Sequence, residues 1–189
     1  MRPGGYLRHT SRPTQGPGFF RMNGDRVSNG QSSYETKMAM FWAALAAQCA
    51  GEPSVTGSRI VEALVRTNAV GKLCQHLQVD PQGVIDAVED PQVLSFAECE
   101  RRVRADLARK DLEFGSKEHQ TSVQRRPLEP AVKGVFDAML ERHGNIGASP
   151  LELLLDLICA TPTIADQLAP LGLTAESISA VLDDADRSF

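Results

Sequence analysis

The chain has 189 residues, 42% of them apolar, with 20 Lys and Arg against 24 Asp and Glu, a formal charge of -4. That length holds one core or two small ones sharing an interface. No apolar run nears the ~18 residues of a membrane span, so a cytoplasmic chain without a membrane partner is expected. With one Trp and two Tyr, and with Ala and Leu leading the apolar set, the composition leans to an all-α fold.

Residues 1–33 are rich in Gly, Pro, Arg, Ser and Asn, without apolar periodicity, and read as a disordered basic tail. The first 24 residues lack acids, as transit peptides do, but Pro3, Pro13 and Pro17 spoil an amphipathic helix and favour a flexible tail. From Glu35 to Cys49, Met38, Phe41, Trp42 and Leu45 fall at helical spacing. Ala50-Gly51-Glu52-Pro53 breaks that helix. Thr56 is placed to cap a second helix whose body, Ile60 to Val65, is apolar nearly all round and so belongs at the centre of a core. A short third helix is expected from about Val70 to Leu77. A fourth follows Asp80 as cap, with Pro81 at its first position.

Residues 91–126 carry one amphipathic helix, about 94–113, with Phe96, Cys99, Val103 and Leu107 on one face and a largely charged remainder. From Gly115 to Pro127 the polar chain reads as a mobile loop. After it the first pattern returns. A shift of 94 residues aligns 35–90 with 129–184 without a gap. Glu35 meets Glu129, Trp42 meets Phe136, Ile60 meets Leu154, Glu62 meets Asp156, Thr67 meets Thr161 and Val84 meets Ile178. Four helices recur, with a turn at Gly144 to Gly147, a cap at Ser149 followed by Pro150, and a second cap at Thr174. The domains expected are a tail (1–33), a first repeat (34–90), a linker with a helix (91–126) and a second repeat (127–189).

This layout resembles the amino-terminal domain of the Clp unfoldases, a pseudo-two-fold pair of four-helix repeats. Ser149-Pro150-Leu151-Glu152-Leu153-Leu154-Leu155-Asp156-Leu157-Ile158 is similar to the family's second helix, and Leu171-Gly172-Leu173-Thr174 to its third-to-fourth turn. Val55 to Leu64 and Leu77-Gln78-Val79-Asp80 are weaker versions. The resemblance implies a non-enzymatic, chaperone-related domain that docks a protein or peptide, such as a Clp protease component, adaptor or substrate, and regulates proteolysis. It implies protein contacts around Trp42, Val55, Thr56, Ala148, Ser149 and Glu152. The family's Glu-His pair opening the second helix is missing from both copies, which weakens the case for binding phosphorylated arginine and leaves that question open. The alternative is a helical regulator or scaffold unrelated to proteolysis.

Enzymatic chemistry finds no motif. Gly71-Lys72 lacks both the upstream Gly and the hydroxyl residue of a nucleotide-phosphate loop, so no ATPase and no cofactor is expected. The four His have no Cys or His partner at metal-ligand spacing, and His143 suits a helix C-terminus. Cys49, Cys74, Cys99 and Cys159 read as buried, reduced thiols. Glu62 and Asp156 read as helix-edge carboxylates, solvated or paired with a base. Net charge is +4 over 1–33, -3 over 34–90, +2 over 91–126 and -7 over 127–189. The acidic last segment argues against nucleic acid and makes Glu129, Asp137, Glu141, Glu152 and Asp156 a candidate face for a basic partner.

Overall fold

Two helices, α2 (Gly57–Val65) and α8 (Pro150–Ala160), form the centre of the molecule and pack on each other. α2 is buried nearly all round, while α8 buries the face that carries Leu153, Leu154, Leu157 and Ile158 and leaves Cys159 and Ala160 at the surface. Around α2 lie α1 (Asn29–Ala50), α3 (Asn68–His76) and α4 (Pro81–Val88); around α8 lie α7 (Pro130–His143), α9 (Pro162–Leu168) and α10 (Ala175–Arg187). α1 and α3 also reach α8, and α4 packs on α9. Between the two groups run α5 (Phe96–Lys110), packed on α1, and the short α6 (Lys117–Ser122). The computed structural model describes residues 29–124, 126–143 and 148–187. The fold is all-α: among those residues the extended pairing is a single parallel bridge, Val55 with Leu128.

The caps fall where residue chemistry puts them. Thr56 accepts a hydrogen bond from Arg59 N at 3.3 Å, and Asp80 accepts from Gln82 N and Gly83 N, both at 3.2 Å. Ser149 and Glu152 close a reciprocal capping box, Glu152 N to Ser149 Oγ at 3.2 Å and Ser149 N to Glu152 Oε2 at 2.6 Å. Thr174 Oγ1 accepts from Ser177 N at 3.2 Å. α8 stops at Thr161 because Pro162 pushes its predecessor out of helical geometry and then opens α9 itself.

The third-to-fourth connection turns through a left-handed residue in both halves, Gln78 at φ 55° and Gly172 at φ 83°. Such a conformation costs a side-chain-bearing residue about 1–2 kcal/mol, of which glycine's greater freedom in the unfolded chain returns about 0.5–1. Gln78→Gly is therefore expected to stabilise the fold by about 0.5–1 kcal/mol, read as a higher urea midpoint at unchanged slope. Gly172→Ala is expected to do the reverse.

At the junction of the halves the packing is tight. A Cβ on Gly57 would stand 2.5 Å from Ile164 Cδ1 and 3.6 Å from Val132 Cγ2. Glycine is the residue that lets the start of α2 approach α9 and α7 this closely. Thr36 Oγ1 donates to Ala148 O at 2.7 Å, Val55 N to Pro127 O at 2.9 Å and Glu129 N to Val55 O at 3.0 Å.

Several expectations need correcting. α1 begins at Asn29, so helix replaces the last residues assigned to the tail; the tail reading for 1–28 and the turn at 144–147 lie outside the described residues. The helix of the linker is shorter than 94–113, because Ser95 caps it and Asp111 ends it in a left-handed turn at φ 53°. The expected mobile loop from Gly115 to Pro127 holds α6, whose cap Ser116 accepts from His119 N at 3.2 Å, and then enters the bridge to Val55. Cys74 and Cys99 are buried as expected, but Cys49 is half-buried and Cys159 is exposed, because the core of α8 lies on its other face. Among the described residues no helix is long and apolar enough to cross a membrane.

Candidate functional site

One buried charge network interrupts the apolar centre. Arg59 and Glu62, one turn apart in α2, are each 1% exposed. Arg59 bonds Glu62 Oε2 at 2.9 Å and Glu52 Oε1 at 2.8 and 2.9 Å, and donates to Leu94 O at 2.6 Å. Burial alone would lower the Arg59 pKa; the hydrogen bonds and charge of Glu52 and Glu62 outweigh it and raise it. Burial pushes the Glu62 carboxyl up, with Arg59 pulling against it. Glu62 is thus paired with a base as expected, but it is a core residue and not a solvated helix edge. Asp156 lies nearer the surface and pairs with Arg142.

Through the Leu94 carbonyl the network ties the approach to α5 onto α2. Among the described residues no cluster of three or more His, Cys, Asp or Glu is arranged as metal ligands.

The aromatic residues gather where α1, α5 and α6 meet. Trp42 stacks on Phe114 with centroids 4.3 Å apart and planes at 15°, and Phe96 lies 6.2 Å away. Phe41 meets Phe114 at 5.6 Å and His119 at 5.2 Å. Arg66 lies 4.7 Å over the Phe96 ring and Arg104 5.6 Å over Trp42. Phe114 was not legible as a partner of Trp42, nor His119 as a partner of Phe41. The local signals were Phe114-Gly115, where Gly115 takes φ 77°, and the cap Ser116 three residues before His119.

His119 is 3% exposed and accepts from Gly115 N at 3.1 Å. Burial holds its imidazole below its ordinary value of 6.5, with Asp106 opposing and Lys110 reinforcing that shift. The folded state thus favours neutral His119. Its contribution is fully present above pH 6.5 and is lost as pH falls through the lower folded value. Urea unfolding should show the wild-type chain losing stability as pH falls below about 6.5, and His119→Gln flattening that loss.

Beside this cluster opens a cleft of about 590 Å³ between α1, α5 and the α6 segment. Leu45, Val103, Leu107, Leu112 and Val123 give it apolar walls, and Arg102, Arg109, Lys110 and Asp106 stand around it. Cys49 faces it, while Cys99 lies buried behind, its thiol 3.5 Å from Ala46 O. Burial and the neighbouring Cys49 push the Cys99 thiol up to about 12, which keeps it protonated.

The six residues named from the Clp resemblance do not form one exposed patch. Val55 is 2% exposed and in the bridge; Ala148 is 4% exposed and accepts from Thr36. Thr56, Ser149 and Glu152 are engaged in helix caps. Trp42 is half-buried in the aromatic cluster. Four of the five acids of the expected acidic face are engaged locally: Glu129 with Gly57 N, Glu152 in the capping box, Asp137 with Lys133 and Asp156 with Arg142. Glu141 remains exposed. That leaves less open charge for a basic partner than the count of -7 suggests.

No protein-family description matches the chain, and no curated protein does. Among solved structures, it is similar in fold to a chain from a study described as "Preliminary structural investigations of a malarial protein secretion system". The TM-score is 0.54 at 15% identity, over 80% of this chain and 91% of the other.

Proposed function

We propose that the chain is a non-enzymatic protein-binding domain of the Clp amino-terminal type, two four-helix repeats joined by a linker helix, that regulates or assists a Clp protease. The observation that carries this reading is the register of the helices under the shift of 94 residues. α3 begins at Asn68 and α9 at Pro162; α4 begins at Pro81 and α10 at Ala175, each pair on the same register. α2 and α8 differ from it by one residue at their starts. Gln78 and Gly172, the left-handed pair, also coincide under it, as do the caps Thr67 and Thr161.

The contacts between halves support a two-fold relation. The start of α1 touches the approach to α8 through Thr36 and Ala148, and the approach to α7 touches that to α2 through Leu128 and Val55. Exchanging the halves maps one contact onto the other within two residues. The fold likeness covers most of the chain and agrees with a single helical domain.

Affinity capture with the tagged full chain from its own cells, read by mass spectrometry, tests the reading. Reproducible recovery of a Clp subunit, adaptor or Clp substrate is the expected result. Reproducible partners that include none of these overturn it.

A further inference from the structure

The linker builds a feature of its own. α5 and the α6 segment lie against α1 and leave the cleft of about 590 Å³ between them. That size falls within the ~300–1,000 Å³ typical of ligand sites, which are concave, mainly apolar and set with a few polar groups. Leu45 and Leu107 form the deepest part, at 6% and 7% exposure, and Val103, Leu112 and Val123 continue the wall.

The rim has one sign in excess. Arg102, Arg109 and Lys110 stand on it with one carboxylate, Asp106, so three cations meet one anion and the cleft carries +2. Arg109 and Lys110 both lean on that carboxylate, at 2.7 and 2.6 Å, while Arg102 leans on Glu98 at 2.9 Å. All three cations are more than half exposed. Shared, exposed ion pairs of this kind are weak and exchange readily for a better-placed carboxylate. A positive rim on a chain of net charge -4 is a local design and not a consequence of composition.

We propose that this cleft docks an acidic amphipathic protein segment, its apolar side chains against Leu45, Val103 and Leu107 and its carboxylates on Arg102, Arg109 and Lys110. Long basic side chains suit the task, since their stems extend the apolar wall while their heads stay in water. Helix-in-groove recognition has this form, apolar anchors at the bottom and charge at the edge. The proposal rests on the reading that the chain binds protein, but not on the partner being a Clp component.

The test uses the full chain and two fluorescein-labelled peptides, one with Glu and Asp around Leu and Phe anchors, the other with Lys at every acidic position. Fluorescence anisotropy is expected to show binding of the acidic peptide only. Its affinity should fall roughly tenfold or more from 0.1 M to 1 M salt, as the Debye length shrinks from about 10 to 3 Å. Arg102→Glu with Lys110→Glu should cause a similar loss in a chain that still unfolds cooperatively, with its melting temperature lowered slightly by the like-charge pairs it creates with Glu98 and Asp106. Val103→Ser, which leaves charge unchanged, should also weaken binding.

No binding of the acidic peptide, equal binding of both peptides, or full affinity in the folded charge-reversed chain overturns the proposal. So does tighter binding of a single-stranded oligonucleotide at the same rim. Loss of peptide discrimination with a Clp component still captured removes the cleft and leaves the proposed function standing. Peptide discrimination without any Clp component in the capture does the opposite.

Discussion

Replacing Arg59 with methionine is expected to cost about 3–5 kcal/mol of folding stability, the largest loss expected from any single polar side chain described here. The guanidinium is enclosed by Glu62 on its own helix, Glu52 in the preceding turn and the carbonyl of Leu94. Methionine fills much of the volume but leaves Glu62, 1% exposed, with no cation beside it. Glu52 loses less, because it lies closer to water at 11% side-chain exposure.

The pH dependence of that variant follows with its sign. Burial already raises the Glu62 pKa against the pull of Arg59, and removing Arg59 raises it further. A folded pKa above the unfolded one gives stability that is present at acid pH and lost as pH rises through the folded value. The deficit of Arg59→Met should therefore be greatest at neutral pH and narrow on acidification, measured by urea unfolding at a series of pH values. A deficit under about 1 kcal/mol at pH 7 would show that the network is not needed for stability.

The second half hints at how such a network is replaced. Under the shift of 94, Leu153 stands where Arg59 does and Asp156 where Glu62 does. Leu153 is fully buried, and Asp156 turns outward to Arg142. Arg59→Leu with Glu62→Ala imitates that apolar solution. Recovery of most of the Arg59→Met loss in the double variant is the expected result, since buried pairs are often replaced by apolar residues at little cost.

Phe96→Ala is the second large effect, a loss of about 3–5 kcal/mol. Phe96 is 1% exposed, opens α5 directly after its cap, and carries the contacts with Trp42 and Arg66. Because Trp42 is the only tryptophan, its emission reports on this corner of the molecule. A truncated ring should let water reach the indole, so the folded variant is expected to emit to the red of wild type. Unchanged emission with a small stability loss would mean that α5 is held by other contacts.

The helices were legible because their signals are local. Thr56, Asp80, Ser149 and Thr174 cap where a polar residue precedes an apolar run, and Pro81 and Pro150 sit at first positions that need no N–H donor. What escaped depends on contacts distant in sequence. Phe114 and His119 gain their meaning only when α6 folds back on Phe41 and Trp42. Nothing local marks Arg59 as buried, because Glu52 and Leu94, which enclose it, lie outside α2. The cleft is invisible to periodicity altogether, because its walls come from three segments.

The packing of α2 against α8 bears on how the protein is made. Each of these helices supplies part of the surface that buries the other, and α1 and α3 also rest on α8. During translation the first four helices emerge with the matching faces uncovered, and they stay so until residues through Ala160 have left the ribosome. The first half therefore completes its core only after the second half has emerged. The nascent first half is the stage at which the chain is most open to aggregation and to chaperone capture.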